Sequence, residues 1–195
     1  MRTAERLLQE RSLGEISVDD LARGAGISRP AFYFYFPSKD AVVLTLVDRM
    51  VEEAATAREA AERLLADSIT AWRESLKSFY AIFGAHRAVI RAATELSATN
   101  SEARDLRSQV IEGWVAHVTE RIEAERRRGA APTGVPAREL ATALVQMNER
   151  VLSAIFIEEV PALAEDTVID TLDHIWMSAI YGSNTPSISM SSFSL

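Results

Sequence analysis

Five consecutive aromatic side chains, Phe32-Tyr33-Phe34-Tyr35-Phe36, stand just ahead of Pro37-Ser38-Lys39. A short helix buries one face, so the run cannot be buried whole. Some rings must reach solvent, where a tyrosine hydroxyl can donate to a phosphate while its ring packs. Lys39, in the first turn of the helix that Ser38 caps, sets an ammonium beside free backbone N–H groups, which makes a seat for a phosphate. A second set of residues is apolar. Trp72, Leu76, Phe79 and Phe83 recur at spacings of three and four, and Trp114, Met147 and Trp176 fall on the apolar stripes of three other helices. By themselves these stripes describe an ordinary aromatic core.

Catalysis finds no comparable set. Cysteine is absent, which removes thiolate chemistry and Cys-ligated metals. His86, His117 and His174 are single residues on separate helices, without the ligand spacing that zinc requires. Asp19-Asp20 and Glu158-Glu159 are adjacent pairs whose side chains diverge on a helix, so neither makes an acid–base couple. Phosphate-binding loops, a nucleophile elbow and a zinc-binding helix motif are all missing. The expectation is a non-enzyme with no cofactor and no metal.

The 195 residues carry 21 basic and 28 acidic side chains, a formal net charge of -7. The first 50 residues hold 7 of each, so the whole acidic excess lies beyond them. A charge of this sign argues against a polybasic coat but leaves open a local face for nucleic acid, because DNA responds to the charge at the contact. No apolar run approaches the roughly 20 residues of a membrane span. The charged N-terminus does not read as a signal peptide. A cytoplasmic protein with no membrane partner is expected.

Helical periodicity runs nearly end to end, so the expected fold is all-α with about nine helices. Helices are expected over Thr3 to Arg11, from the Ser17 cap to Gly24 or Gly26, from the Ser28 cap with Pro30 in its first turn, and from Ser38 to Leu65. Further helices are expected from Asp67 or Ser68 to Gly84, Arg87 to Ser97, Ser101 to Arg128, Pro136 to Ile157 and Glu165 to Tyr181. Residues 1–50 would form an N-terminal three-helix unit and residues 51–182 a larger helical domain. Residues 183–195, rich in Ser and without charge, would form a flexible tail.

Ser17 to Phe36 sets two short helices around a glycine-containing turn, with Val18, Leu21, Ala22, Ala25, Ile27, Ala31 and Phe34 available to close a small core with Leu7 and Leu8. This is helix-turn-helix geometry, which a plain helical hairpin shares. Three segments resemble the TetR family of one-component regulators. They are Ile16-Ser17-Val18-Asp19-Asp20-Leu21-Ala22, Gly24-Ala25-Gly26-Ile27-Ser28 and Phe32-Tyr33-Phe34-Tyr35-Phe36-Pro37-Ser38-Lys39. The likeness is strong over about 45 residues and looser across residues 51–135.

The resemblance implies a ligand-responsive transcriptional repressor that binds operator double-stranded DNA as a homodimer. It places Ser28, Arg29, Pro30 and Ala31 against base edges, with Arg29 the one fork suited to guanine. Ser17, Tyr33, Tyr35 and Lys39 would hold phosphates. Trp72, Leu76, Phe79, Phe83, Trp114, Met147, Asn148 and Trp176 would line a channel for a small hydrophobic effector. The helix from Ser38 would be the lever between the two lobes. Ala141, Leu144, Leu152, Ile155, Val168, Leu172 and Ile180 would supply apolar area to a two-fold four-helix interface, in part as intramolecular core. A constitutive DNA-binding protein with a filled core, and a helical small-molecule binder without DNA recognition, are the alternatives.

Overall fold

The computed structural model describes residues 1–64 and 68–182. Among these, the chain forms nine α-helices and no strand: α1 (Arg2–Glu10), α2 (Val18–Gly24), α3 (Arg29–Tyr35), α4 (Lys39–Leu64), α5 (Ser68–Ala85), α6 (Arg87–Ser97), α7 (Ser101–Arg127), α8 (Ala137–Phe156) and α9 (Val168–Tyr181). The expected helix ends at Leu65 and Asp67, and the Ser-rich tail at 183–195, lie outside the described residues.

Local chemistry sets the first turns. Ser17 caps α2 in a reciprocal box: its Oγ accepts from Asp20 N at 3.1 Å, while Asp20 Oδ2 accepts from Ser17 N at 3.0 Å. Ser28 Oγ accepts from Ala31 N, and Pro30 sits in the first turn of α3, where no backbone donor is needed. Gly26 turns the chain between α2 and α3 with φ +70, a conformation costly for any residue with a Cβ. At Gly24 a Cβ would lie 2.6 Å from Thr3 Cγ2, so glycine is what allows α1 to cross so close.

Two apolar cores result. One joins α1, α2 and α3 through Leu7, Leu8, Leu21, Ala22 and Phe32. It is completed by residues from far along the chain, Val89, Ala92 and Leu96 of α6 and Ala103 of α7. The other lies among α4, α5, α7, α8 and α9 around Trp72, Ile122, Leu144, Leu172 and Trp176. Val47 of α4 packs on both.

The expected first core needs correction. Phe34 is 83% exposed, and Ala25 and Ile27 are exposed as well. Phe32, 4% exposed, fills the place assigned to Phe34, with Phe36 one turn on and its ring centroid 5.9 Å away. Residues four apart share a helix face, whereas residues two apart lie on opposite sides, so burying Phe32 expels Phe34.

Helix α4 is not alone in linking the two cores. From α6, Arg91 Nη2 donates to Leu8 O at 2.8 Å, and Glu95 accepts from Leu13 N and Gly14 N. Helix α6 is thus tied to the N-terminal unit as firmly as α4. The last helix starts three residues later than expected, because Glu165 is drawn to Arg87 (Nη1 to Oε1 2.9 Å, Nη2 to Oε2 2.6 Å) and to Tyr80 Oη at 2.7 Å. These bonds pin the α8–α9 connection against α5 and α6.

Candidate nucleic-acid interface and effector cavity

The N-terminal half of α3 faces outward. Ser28, Arg29 and Pro30 are exposed and Ala31 is half-buried. Tyr33 and Tyr35 are exposed on either side of Phe34, so three of the five aromatics reach solvent as their number required. Arg29 does not hang free. Its Nη1 donates to both carboxylate oxygens of Asp19 at 3.1 Å, and its Nη2 to Tyr33 Oη at 3.4 Å. The guanidinium is thereby aimed by one helix while it belongs to another. Nε and one edge of the fork stay clear of Asp19, and an edge of that kind fits guanine O6 and N7.

Two residues expected at phosphates have other partners. Ser17 gives its only hydroxyl proton to Asp20 Oδ2 at 2.7 Å, so a phosphate there must open the capping box. That hydrogen bond, followed by the Ser17 backbone N–H and reinforced by nearby Arg11 and Arg23, holds the Asp20 carboxyl below its ordinary range. Lys39 Nζ donates to Leu13 O at 2.8 Å and Ile16 O at 3.0 Å, tying the α1–α2 loop to the start of α4. One of its three ammonium donors remains.

The larger core is hollow. A first chamber of about 90 Å³ is lined by Trp72, Leu76, Phe79, Trp114, Asn148 and Trp176 among others. A second, of about 370 Å³, adjoins it and is lined by Phe79, Phe83 and Trp114, by Val47, Met50 and Val51 of α4, and by Ile90 of α6. The wall they share is an aromatic cluster. The rings of Phe79 and Phe83 stack with centroids 4.0 Å apart, and Trp114 meets them edge-on at 4.8 and 5.6 Å. Seven of the eight residues expected around an effector therefore border one chamber or the other. Met147 borders neither: one position from Asn148, it is turned about 100° around α8 and sits partly exposed on the flank.

Two polar atoms of the first chamber are buried without a partner among the described residues, the acceptor Asn148 Oδ1 and the donor Trp176 Nε1. Trp72 differs: its Nε1 donates to Tyr181 Oη at 3.1 Å, and Tyr181 Oη to Glu125 Oε2 at 2.8 Å. Burial, then the hydrogen bond to Glu125, pushes the Tyr181 hydroxyl above its usual pKa. An apolar hole with one unfilled acceptor and one unfilled donor matches a small molecule carrying both.

Arg58, Ser75, His117, Val118, Arg121 and Glu149, which the sequence reading missed as lining residues, border the first chamber as well, as does Val145. For Arg58 a signal existed. Met50, Ala54 and Arg58 follow one another by four, which puts a guanidinium on the inward stripe of α4. Arg107 closes on Glu149, with Nε and Nη2 both donating to Oε1 at 3.2 and 2.9 Å. Among the described residues no group of acidic and histidine side chains is placed to hold a metal, and no helix is long and apolar enough to cross a membrane.

The seven residues expected to feed a two-fold interface are all buried within the chain, none above 5% exposed. Shape explains it, because both helices must first pack on α5 and α7. Their outward flank carries exposed Ala143, Ile175 and Ala179 and partly exposed Leu140, Met147 and Val151.

Comparison with known proteins follows the same division. Residues 1–46 match the family model "Bacterial regulatory proteins, tetR family", and residues 72–182 match "Transcriptional regulator EthR, C-terminal domain". The HTH-type transcriptional regulator EthR of Mycobacterium tuberculosis is 52% identical over 186 residues, 94% of this chain and 86% of that protein. EthR of Mycolicibacterium smegmatis is 46% identical over 183 residues, 93% of this chain and 84% of that protein. Among solved structures, Bacillus subtilis FadR in complex with stearoyl-CoA shares the fold with a TM-score of 0.69 at 14% identity, over 93% of this chain and 96% of that one.

Proposed function

The chain belongs to the TetR family of bacterial transcriptional regulators, with a C-terminal domain of the EthR type, and from that premise we propose that it is a repressor whose grip on operator DNA is released by a small apolar effector. One observation carries the reading: the helices that wall the cavity also build the core under the DNA-facing helix. Ile90 of α6 lines the second chamber while Val89 and Ala92 of the same helix pack into the N-terminal core. Val47 of α4 lines that chamber and packs on both cores. An occupant that displaces either helix moves α3 with it.

Ser28, Arg29, Pro30 and Ala31 meet base edges, with Phe34 beside them for a thymine methyl or a sugar. Tyr33 and Tyr35 take phosphates, while Lys39 and Ser17 chiefly brace the backbone that positions them. Two copies join through the α8–α9 flank around Ala143, Ile175 and Ala179, which sets two α3 helices for half-sites roughly 34–36 Å apart. Release is a population shift. Turning a mostly bound regulator into a mostly free one needs an effector that prefers the released conformer by about 10⁴-fold. Inside the cavity, Asn148 Oδ1 and Trp176 Nε1 orient the polar group of the effector.

The test is selection from a random double-stranded library, followed by gel shifts with the enriched sites and with DNA upstream of the gene. Enrichment of a two-fold symmetric site is expected. Failure to shift any such DNA at low salt would refute the repressor and leave a helical small-molecule binder.

A further inference from the structure

An acid sits where a DNA-binding surface should exclude one: Asp19 of α2, bonded to Arg29 at the exposed start of α3. Its neighbour Asp20 closes the cap of α2 with Ser17, so the cap needs no second acid. Among the described residues the Asp19 carboxylate bonds Arg29 alone, and both side chains are more than half exposed. Phosphates repel an exposed carboxylate at a DNA surface unless a base offers it an N–H. The major groove presents two such donors, cytosine N4 and adenine N6. The fork of Arg29 is also only partly spent. Its Nη1 lies 3.1 Å from both Asp19 oxygens, which are too close together to take two diverging N–H bonds, so one proton serves both. Nη2 gives one proton to Tyr33 Oη at 3.4 Å. Each terminal nitrogen therefore keeps an N–H, with an acid holding one and a hydroxyl holding the other.

We infer that Asp19 and Arg29 read one G·C pair together: Nη2 donates to guanine N7, Nη1 to guanine O6, and an Asp19 oxygen accepts from N4 of the paired cytosine. The spacing fits. Nη1 and the Asp19 oxygens are 3.1 Å apart, and the O6 and N4 atoms they meet are joined by a hydrogen bond of about 2.9–3.0 Å. Along the groove edge, two acceptors and a donor thus face two donors and an acceptor. At an A·T pair the match fails twice, because adenine N6–H faces Nη1 and thymine O4 faces the carboxylate. Either edge of the fork fits guanine, but only the terminal edge sets Asp19 beside the pair. The Nε edge would leave the acid behind the guanidinium, touching no base. The inference rests on the DNA-binding reading and specifies one of its contacts.

The full chain is used to select sites, and Arg29→Ala marks the G·C pair in question as the position whose preference flattens. There the cytosine is replaced by pyrimidin-2-one, which leaves guanine N7 and O6 in place and carries hydrogen where the amine stood. Gel shifts compare the two DNAs with the unaltered protein, Asp19→Ala and Asp19→Asn. A hydrogen bond to a charged acceptor predicts about a tenfold loss of affinity for the unaltered protein and little loss for Asp19→Ala. Weaker base pairing in the modified site acts on every protein alike and cancels in the ratio. Asp19→Asn, whose amide oxygen still accepts, should show an intermediate loss. The substituted side chain is exposed, so both variants should melt as the parent does. An equal loss for the unaltered protein and Asp19→Ala, or none for either, would overturn the cytosine contact and leave Asp19 to position Arg29. A selected site in which no G·C pair responds to Arg29→Ala would overturn it as well and keep the repressor. Failure to enrich any site would take down both readings.

Discussion

Lys39 distinguishes a DNA contact from an internal brace, and its replacement by methionine separates them quantitatively. The ammonium donates to Leu13 O at 2.8 Å and Ile16 O at 3.0 Å, and the side chains of both of those residues are buried in the N-terminal core. A hydrogen bond from a charged donor contributes about 1.5–3 kcal/mol when intact. Lys39 is only half-buried, so water competes, and discounting by about half leaves about 2 kcal/mol for the pair. For a chain of this size that is a fall of about 4–8 °C in melting temperature. Methionine keeps the stem's packing and removes only the charge and the donors. Stability is read by calorimetry, and DNA binding by gel shift between 50 and 200 mM salt. A brace predicts the lowered melting temperature and a salt slope unchanged within error. A phosphate contact predicts an unchanged melting temperature and a slope reduced by about 0.9. The second pattern would refute the assignment of Lys39 to the loop.

Other consequences are testable in the same protein. Arg29→Ala should cost about 1–3 kcal/mol at one base position and flatten preference there in the selected sites; Asp19→Asn, which releases the aimed guanidinium, should flatten the same position while weakening overall affinity less. Asn148→Leu removes a buried unpartnered acceptor, so it should raise the melting temperature by a few degrees, worth about 1 kcal/mol, yet weaken binding of amide or carbonyl ligands measured calorimetrically. Glu165 is held down from 4.5 to about 2, first by Arg87 and then by Tyr80. Its contribution is therefore complete above pH 4.5 and disappears as the pH falls toward 2, so the melting temperatures of the protein and of Glu165→Gln should differ at neutral pH and converge across that window. Ala179→Arg on the exposed α9 flank should yield monomers in analytical ultracentrifugation and abolish binding to two-half-site DNA while the helix content stays.

Local signals were legible in the chain because their physics is local. Ser17, Ser28 and Ser38 sit where caps must be, Pro30 where a missing donor costs nothing, and Gly26 where the backbone turns left-handed. The count of helices followed from periodicity, and the aromatic run showed by its length alone that some rings face solvent. The motif from Ile16 to Lys39 carried the family, because capping, turn and ring positions are all set within about 25 residues. Of the eight residues the resemblance pointed to around an effector, seven border the two chambers.

Tertiary structure decided which face each of these helices turned inward. Whether Phe32 or Phe34 would be buried depended on the N-terminal core, which Val89, Ala92 and Leu96 of α6 complete from more than 50 residues away. Separations of 26 and 23 residues hid Lys39 from its carbonyl partners, and one of 10 hid Arg29 from the acid that aims it. Both α8 and α9 read as apolar on several sides, and only packing on α5 and α7 showed that Leu144 and Leu172 belong inside while Ile175 remains outside. Arg58 of α4 and Arg121 of α7 came to border one chamber only through packing, with Arg121 stacked over the Trp72 ring. Sequence by itself determined the helices, their caps and the regulator's family, since those depend on neighbours a few residues apart. The structure alone decided which side chains face each other across helices, and that juxtaposition joins the N-terminal core beneath the exposed start of α3 to the helices that wall a cavity.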